Sequence, residues 1–214
     1  MIEFYYLSGS PFAWRVWLAL DFKGLNYRKV DLSFEKGDLR SESFLSLNPR
    51  AKIPVIVDEG VALSESSVIL EYLDEQYPGD LMLFPRDVVK RAQLRKLINE
   101  VDIYFDLANR RLLNSVFFTA REKWDEDKIS RSLLGVMKEL DYFETAFIDS
   151  LNRRAIAIFE FSMFPLIALM YRLDTIKDDL NFATSAPSWC QDWYEWLSAE
   201  KIFRSTWPSH WGSP

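Results

Sequence analysis

The sequence predicts a small α/β region followed by an all-helical one. Two observations carry this. Up to about residue 77, short runs with strand-like alternation are interleaved with runs at helical spacing; after residue 87 no convincing strand pattern appears. Between them, residues 78–87 hold Pro78, Gly79, Asp80 and Pro85, the punctuation of a linker. The expected division is residues 1–77, a linker at 78–87, and a helical region at 88–214.

Taken in order, Ile2 to Leu7 alternates and predicts a strand. Phe12 to Lys23 predicts a helix ended by Gly24 as a left-handed cap. Tyr27 to Leu32 is a second strand, Ser41 to Leu47 a short helix closed by Asn48-Pro49, and Ile53 to Val57 a third strand. Asp58-Glu59-Gly60 turns the chain into a fourth strand, Val61 to Leu63, and Ser64 to Gln76 is helical. The order is βαβ, then α, then ββα. Beyond the linker, helices are expected at Val88 to Leu113, Asp125 to Leu151, Ile156 to Leu173 and Ser188 to Ala199. The tail from Trp207 to Pro214 is expected to be irregular. No internal repeat or low-complexity segment interrupts this.

Composition narrows the chemistry. The 214 residues carry a net charge of −6, so the chain as a whole offers no electrostatic footprint for nucleic acid or an anionic membrane surface. A local basic site for a small anion remains compatible with that charge. Cys190 is the one cysteine and His210 the one histidine, so neither a disulfide framework nor a cysteine-based zinc site can be built. A Ser-His-Asp triad would have to recruit that tail histidine. The N-terminus has no basic leader, and the apolar stretch from Ala155 to Tyr171, broken by Glu160 and Pro165, is short of the roughly 20 residues of a membrane span. It reads as a buried core helix in a cytoplasmic protein.

The chemistry-bearing stretch is Ser8-Gly9-Ser10-Pro11-Phe12-Ala13-Trp14-Arg15. Ser10 stands where a helix N-cap belongs, and Pro11 at the first helical position, where a missing N–H costs nothing. A strand thus delivers a hydroxyl to a helix N-terminus, whose free amides and dipole favour an anion. Taken alone, Ser10 suits an ordinary cap, Pro54 an edge-strand proline, and Ser64 to Ser67 an ordinary cap cluster.

Together these residues resemble the glutathione transferase superfamily. The resemblance rests on Ser10-Pro11-Phe12 with Arg15-Val16 behind, Asn48-Pro49, Ile53-Pro54-Val55, Glu65-Ser66, and Ile69-Leu70-Glu71-Tyr72-Leu73, and it is strongest in the first 80 residues. It implies a thioredoxin-like domain followed by a helical domain. The five-residue spacing from Ser10 to Arg15 is similar to that of the serine-type tau and zeta classes, and to the omega class with serine in place of cysteine.

The resemblance implies that glutathione is a co-substrate, without a metal. Ile53, before a cis Pro54, would offer its backbone to the glutathione cysteine, as one more strand on an edge. Glu65 would meet the γ-glutamyl ammonium and Ser66 its carboxylate. Lys52 would meet the glycine carboxylate, its plain reading being a solvated lysine. Ser10 would donate its hydroxyl to the sulfur and favour the thiolate; Ser8, or Tyr5 and Tyr6 on the strand, are the other candidates. Phe12, Tyr104, Phe105, Asn109 and Trp207 are expected to line an apolar or aromatic electrophile site. A cytoplasmic homodimer acting in detoxification is implied. The alternative is a non-catalytic protein using the fold for regulation or protein contact; third comes a disulfide-exchanging reductase, which would need a cysteine where Ser10 stands. The sequence departs from the family at the central helix. Counting back from Pro165, the expected Ser/Thr cap and Asp are Ala157 and Glu160, and the preceding loop is Asn152-Arg153-Arg154 rather than glycine-rich.

Overall fold

A computed structural model of the chain describes residues 1–151 and 156–212, the side chains of 146–151 excepted. The Asn152-Arg153-Arg154 loop lies outside the described residues. The chain forms two compact units. Met1–Arg91 and the segment from Lys201 on make the first; Ala92–Glu200 makes the second.

The first unit is built on a four-stranded sheet in the order β2-β1-β3-β4. Strand β1 (Ile2–Tyr6) runs parallel to β2 (Tyr27–Asp31) through α1 (Pro11–Phe22). Strand β3 (Val55–Asp58) is antiparallel to both β1 and β4 (Val61–Ser64). The β3–β4 hairpin turns at Glu59 and Gly60, both with positive φ, the conformation that a two-residue primed turn demands. Alternation along β1 buries Ile2, Phe4 and Tyr6 on one face. Tyr5 and Leu7 pack instead with Leu39, Phe44 and Val55, and Phe44 comes from α2 (Glu42–Leu47). Helix α1 packs on α3 (Ser66–Gln76). Third-strand pairing begins at Val55 rather than Ile53, which leaves Ile53 outside the register with either neighbour.

Residues 78–87 are tied to this unit. The Asp74 carboxylate accepts the amides of Leu83 (2.7 Å) and Phe84 (3.1 Å) and the Lys23 ammonium (3.1 Å), and both Leu83 and Phe84 are buried. The tail from Trp207, expected to be irregular, contains one 3-10 turn, and a short helix precedes it. Helix α10 (Lys201–Ser205) packs on α1, and a 3-10 turn covers Ser209–Trp211.

The helix expected at Val88 to Leu113 begins as α4 (Val88–Glu100), passes through one π-helical turn at Val101–Phe105, and continues as α5 (Asp106–Val116). In the second unit α5 packs on α6 (Glu126–Leu151) and on α7 (Ile158–Asp174), and α9 (Ser188–Ala199) packs on both α6 and α7. The short α8 (Phe182–Ser185) was not apparent in the sequence because it is fixed from a distance: the Asp174 carboxylate accepts the amides of Phe182 and Ala183 at 2.8 and 2.7 Å. Helix α7 is buried around most of its circumference, as its largely apolar character predicts. No described helix is long and apolar enough to cross a membrane.

Candidate active site

Strand β1 ends in a tight turn. The Ser10 N–H donates to the Leu7 carbonyl at 3.1 Å, which places Ser8 and Gly9 at the corner, and Gly9 has φ +87°. A positive φ at the second corner residue is what a type II turn requires and what glycine supplies. Ser10 then caps α1 as expected: its Oγ accepts the Ala13 N–H at 3.4 Å, and Pro11 takes the first helical position. That bond is long, so the hydroxyl is loosely held and its own hydrogen is free to be directed elsewhere.

The second half of the site is the start of α3. Glu65 adopts φ +67° without a glycine and makes no side-chain cap bond. A left-handed non-glycine residue costs on the order of 1–3 kcal/mol and is held only where its surroundings demand it. The Ile53–Pro54 bond is cis. Lys52 is exposed, and its carbonyl accepts the Asn48 side-chain amide at 2.7 Å, which fixes the backbone just before Ile53.

Arg15 joins α1 to α3. It is only 2% exposed, and it donates to Ser66 Oγ through Nε at 2.9 Å and Nη2 at 2.6 Å. The guanidinium also lies 4.9 Å from the Phe12 ring centroid. The sequence assigned Ser66 to a ligand carboxylate. In the structure its oxygen is turned on Arg15, which leaves the hydroxyl hydrogen and the first-turn amides of α3 for an anion. Neither α1 nor α3 has an acid in its first turn. At α3 the acid is Glu65, at the cap itself and exposed, and the Arg15 guanidinium on Ser66 Oγ adds positive charge there. Sequence reasoning used Arg15 only as a spacing marker; its residue type beside two helix starts was the available signal.

Of the alternative hydroxyls on β1, that of Tyr5 is occupied and the ring of Tyr6 is buried. Tyr5 donates to Glu3 Oε2 at 2.8 Å, and Tyr6 is buried between Phe4 and Trp17. Burial raises both phenols above their ordinary values, which keeps them protonated. Ser8 lies 3.4 Å from His210 Nδ1. The one histidine, set aside in the sequence, thus sits on the turn that carries Ser10. No local signal links residue 210 to residue 8.

Of the expected electrophile-site residues, Phe12 and Trp207 belong to the first unit, where Trp207 packs edge-to-face on Trp14 at 5.3 Å. Tyr104, 56% exposed, lies in the π-helical turn of the second unit. Phe105 has no exposed surface and packs on Phe143 at 6.0 Å, within the core of the second unit. Asn109 is 2% exposed, and neither its amide nitrogen nor its oxygen has a hydrogen-bond partner. Cys190 is buried, its thiol pushed up to about 12 by desolvation, so it is a poor nucleophile. Among the described residues no group of three or more His, Cys, Asp or Glu is placed to hold a metal.

The family described as glutathione S-transferase, N-terminal domain, matches residues 9–76. Over 91 residues the chain is 40% identical to glutathione S-transferase Z1 of Arabidopsis thaliana, a stretch covering 42% of this chain and 41% of that one. Over 94 residues it is 42% identical to a maleylacetoacetate isomerase of Pseudomonas aeruginosa, covering 42% and 43%. These matches span about two-fifths of the length of the curated relatives. A crystal structure of a glutathione S-transferase from the Antarctic clam Laternula elliptica superposes with a TM-score of 0.78 at 25% identity, covering 100% of this chain and 94% of that one. Glutathione transferase F2 of Populus trichocarpa shares the fold, with a TM-score of 0.79 at 20% identity over 96% of this chain and 97% of that one. The fold is that of the glutathione S-transferases, a thioredoxin-like sheet domain and a helical domain, and residues 9–76 are similar to the N-terminal domain of that family.

Proposed function

We propose that this protein is a glutathione transferase that activates the glutathione thiol for attack on an apolar or aromatic electrophile. The observation that carries this is the pair of helix starts, α1 with Ser10 and α3 with Glu65-Ser66, joined by the buried Arg15 and with no acid inside the first turn of either. Glutathione is an anionic tripeptide, and this arrangement suits it. The γ-glutamyl carboxylate is assigned to the α3 amides and the Ser66 hydroxyl hydrogen, and its ammonium to the exposed Glu65. The cysteine backbone is assigned to Ile53, which pairs with neither neighbouring strand, and the glycine carboxylate to Lys52. The sulfur is assigned to Ser10.

The chemistry needs no general base. A cysteine-like thiol has a pKa near 8.5, and lowering it by about two units takes roughly 2.7 kcal/mol. A hydrogen bond to a charged group gives about 1.5–3 kcal/mol, and a helix N-terminus about 0.3–1 kcal/mol. The proton leaves to water, the thiolate attacks the electrophilic carbon, and the electron pair departs with a leaving group or onto the acceptor. Phe12 and Trp207, both in the first unit, are the residues proposed for the electrophile. A cytoplasmic homodimer is part of the same reading.

The test is a titration of bound glutathione by its ultraviolet thiolate absorbance. Half-ionisation about two units below that of free glutathione is expected, returning towards the free value in Ser10→Ala. A bound thiol that ionises like the free one removes the transferase mechanism and favours a non-catalytic use of the fold.

A further inference from the structure

We infer that His210 is a positioning residue, which holds the Ser8-Gly9-Ser10 turn from the C-terminal segment and so sets the direction of the Ser10 hydroxyl. The inference rests on the function proposed above and adds a residue to it. The segment is gripped firmly at the start of α1. Thr206 is fully buried, and its Oγ1 accepts the Trp14 indole N–H at 2.7 Å. Trp207 and Trp211 both pack edge-to-face on Trp14, at 5.3 and 5.8 Å, and on each other at 6.0 Å. This brings the 3-10 turn Ser209–Trp211 over the corner of the β1–α1 turn.

Gly9 is required there for a second reason besides its φ of +87°. A Cβ on Gly9 would stand 3.0 Å from Trp211 Nε1 and 3.1 Å from both Cε1 and Nε2 of His210. Contacts that tight would make the His210 and Trp211 side chains give by a few tenths of an ångström, so the tail sits close over bare backbone. His210 itself is exposed, and burial of its ring does not explain its position. Its polar contact is Nδ1 to Ser8 Oγ at 3.4 Å. Ser8 and Gly9 are the corner residues of the turn whose last residue is Ser10, through the Ser10 N–H to Leu7 carbonyl bond. The tail therefore touches one corner residue through this long polar contact and covers the other. A small rotation of that corner re-aims the next hydroxyl, and thiolate stabilisation depends on that direction.

Two variants separate hydrogen bonding from packing. His210→Phe keeps a ring over Gly9 without a partner for Ser8. His210→Asn puts an amide where Nδ1 stands and keeps the contact. With saturating electrophile, the Phe variant is expected to lower kcat about 3- to 10-fold, the factor a single neutral hydrogen bond carries. KM for glutathione should stay within about twofold, because the peptide is bound elsewhere. The melting temperature should not change, and the Asn variant should recover kcat. A Phe variant with unchanged kcat overturns the inference, as does an Asn variant as slow as the Phe variant. The amide resonance of Gly9 gives a readout independent of turnover. It should shift in the Phe variant and return in the Asn variant, and a Gly9 resonance that stays put in the Phe variant overturns the inference. If the wild type does not bind glutathione, the function proposed above falls, and the Gly9 resonance alone decides whether His210 holds the turn.

Discussion

Helix α1 of the first unit and helix α7 of the second begin in opposite ways. At α1 a part-exposed serine accepts one amide at 3.4 Å, and the first turn carries no acid. At α7 the cap position is Ala157, which has no side-chain acceptor, and the third helical residue, Glu160, turns back to accept the Ala157 N–H at 2.9 Å. Glu160 is 4% exposed, and burial pushes its carboxyl up to about 8, against the lowering effect of two backbone hydrogen bonds. One helix start is kept open and electropositive; the other is closed from within by its own side chain. A helix N-terminus becomes a site only where its donors are left for something else, and in the first unit this holds for both α1 and α3.

The largest expected effect is at the closed end. In the unfolded chain Glu160 should titrate near 4.3, whereas in the folded protein it titrates at about 8. The folded state therefore binds its proton more tightly. The stabilisation is fully present below the unfolded value and is lost as pH rises through the folded one. Glu160→Gln keeps an acceptor for Ala157 and carries no charge. It is expected to resemble the wild type near pH 4 and to exceed its stability by a few kcal/mol near pH 9. Urea denaturation at both values checks this; an equal difference at both would show that burial does not control this carboxyl.

Next in size is the open end. Ser10→Ala should lower turnover with glutathione about 10- to 100-fold at neutral pH, equivalent to about 1.4–2.7 kcal/mol, while glutathione binding survives. Loss of the cap itself costs about 1 kcal/mol of stability, to be read separately by thermal melting. A Ser10→Ala variant that loses stability but not turnover would make Ser10 a cap and nothing more, and α1 would then differ from α7 only in style of capping.

The smallest effect concerns what covers the open end. Thr206→Val removes the acceptor of the Trp14 indole and should cost about 1 kcal/mol, with Thr206→Ser recovering most of it. Chemical denaturation of the three proteins measures this, and no difference between Val and Ser would mean that packing of the tryptophans alone seats the tail.

The two regions also differ in how far their residues announced them. Strand alternation, Gly24, the Glu59-Gly60 hairpin and the Ser10-Pro11 start are local features, and each stands within a residue or two of its expected place. Ser10 as a cap and the cis Ile53–Pro54 bond were likewise foreseen, the second only through resemblance. What escaped is long-range. Arg15 meets Ser66 across 51 residues, Trp14 meets Thr206 across 192, and Ser8 meets His210 across 202. Nothing in the periodicity around either partner encodes such pairings. In the second unit the missed α8 is capped by Asp174 from eight residues before it. Helical spacing there marks aromatic residues without telling a buried ring from an exposed one: Phe105 has no exposed surface and Tyr104 beside it is 56% exposed.

The central claim is that the starts of α1 and α3 are open because they hold an anionic tripeptide. Calorimetric titration with glutathione, checked by thermal melting, tests it most directly. The account predicts saturable binding, with a stability gain of roughly 2.7 kcal/mol at about 100 times Kd, and weakened binding in Ser66→Ala. No heat of binding and no melting shift at millimolar glutathione would contradict it, and the open helix starts would then serve contact with another partner.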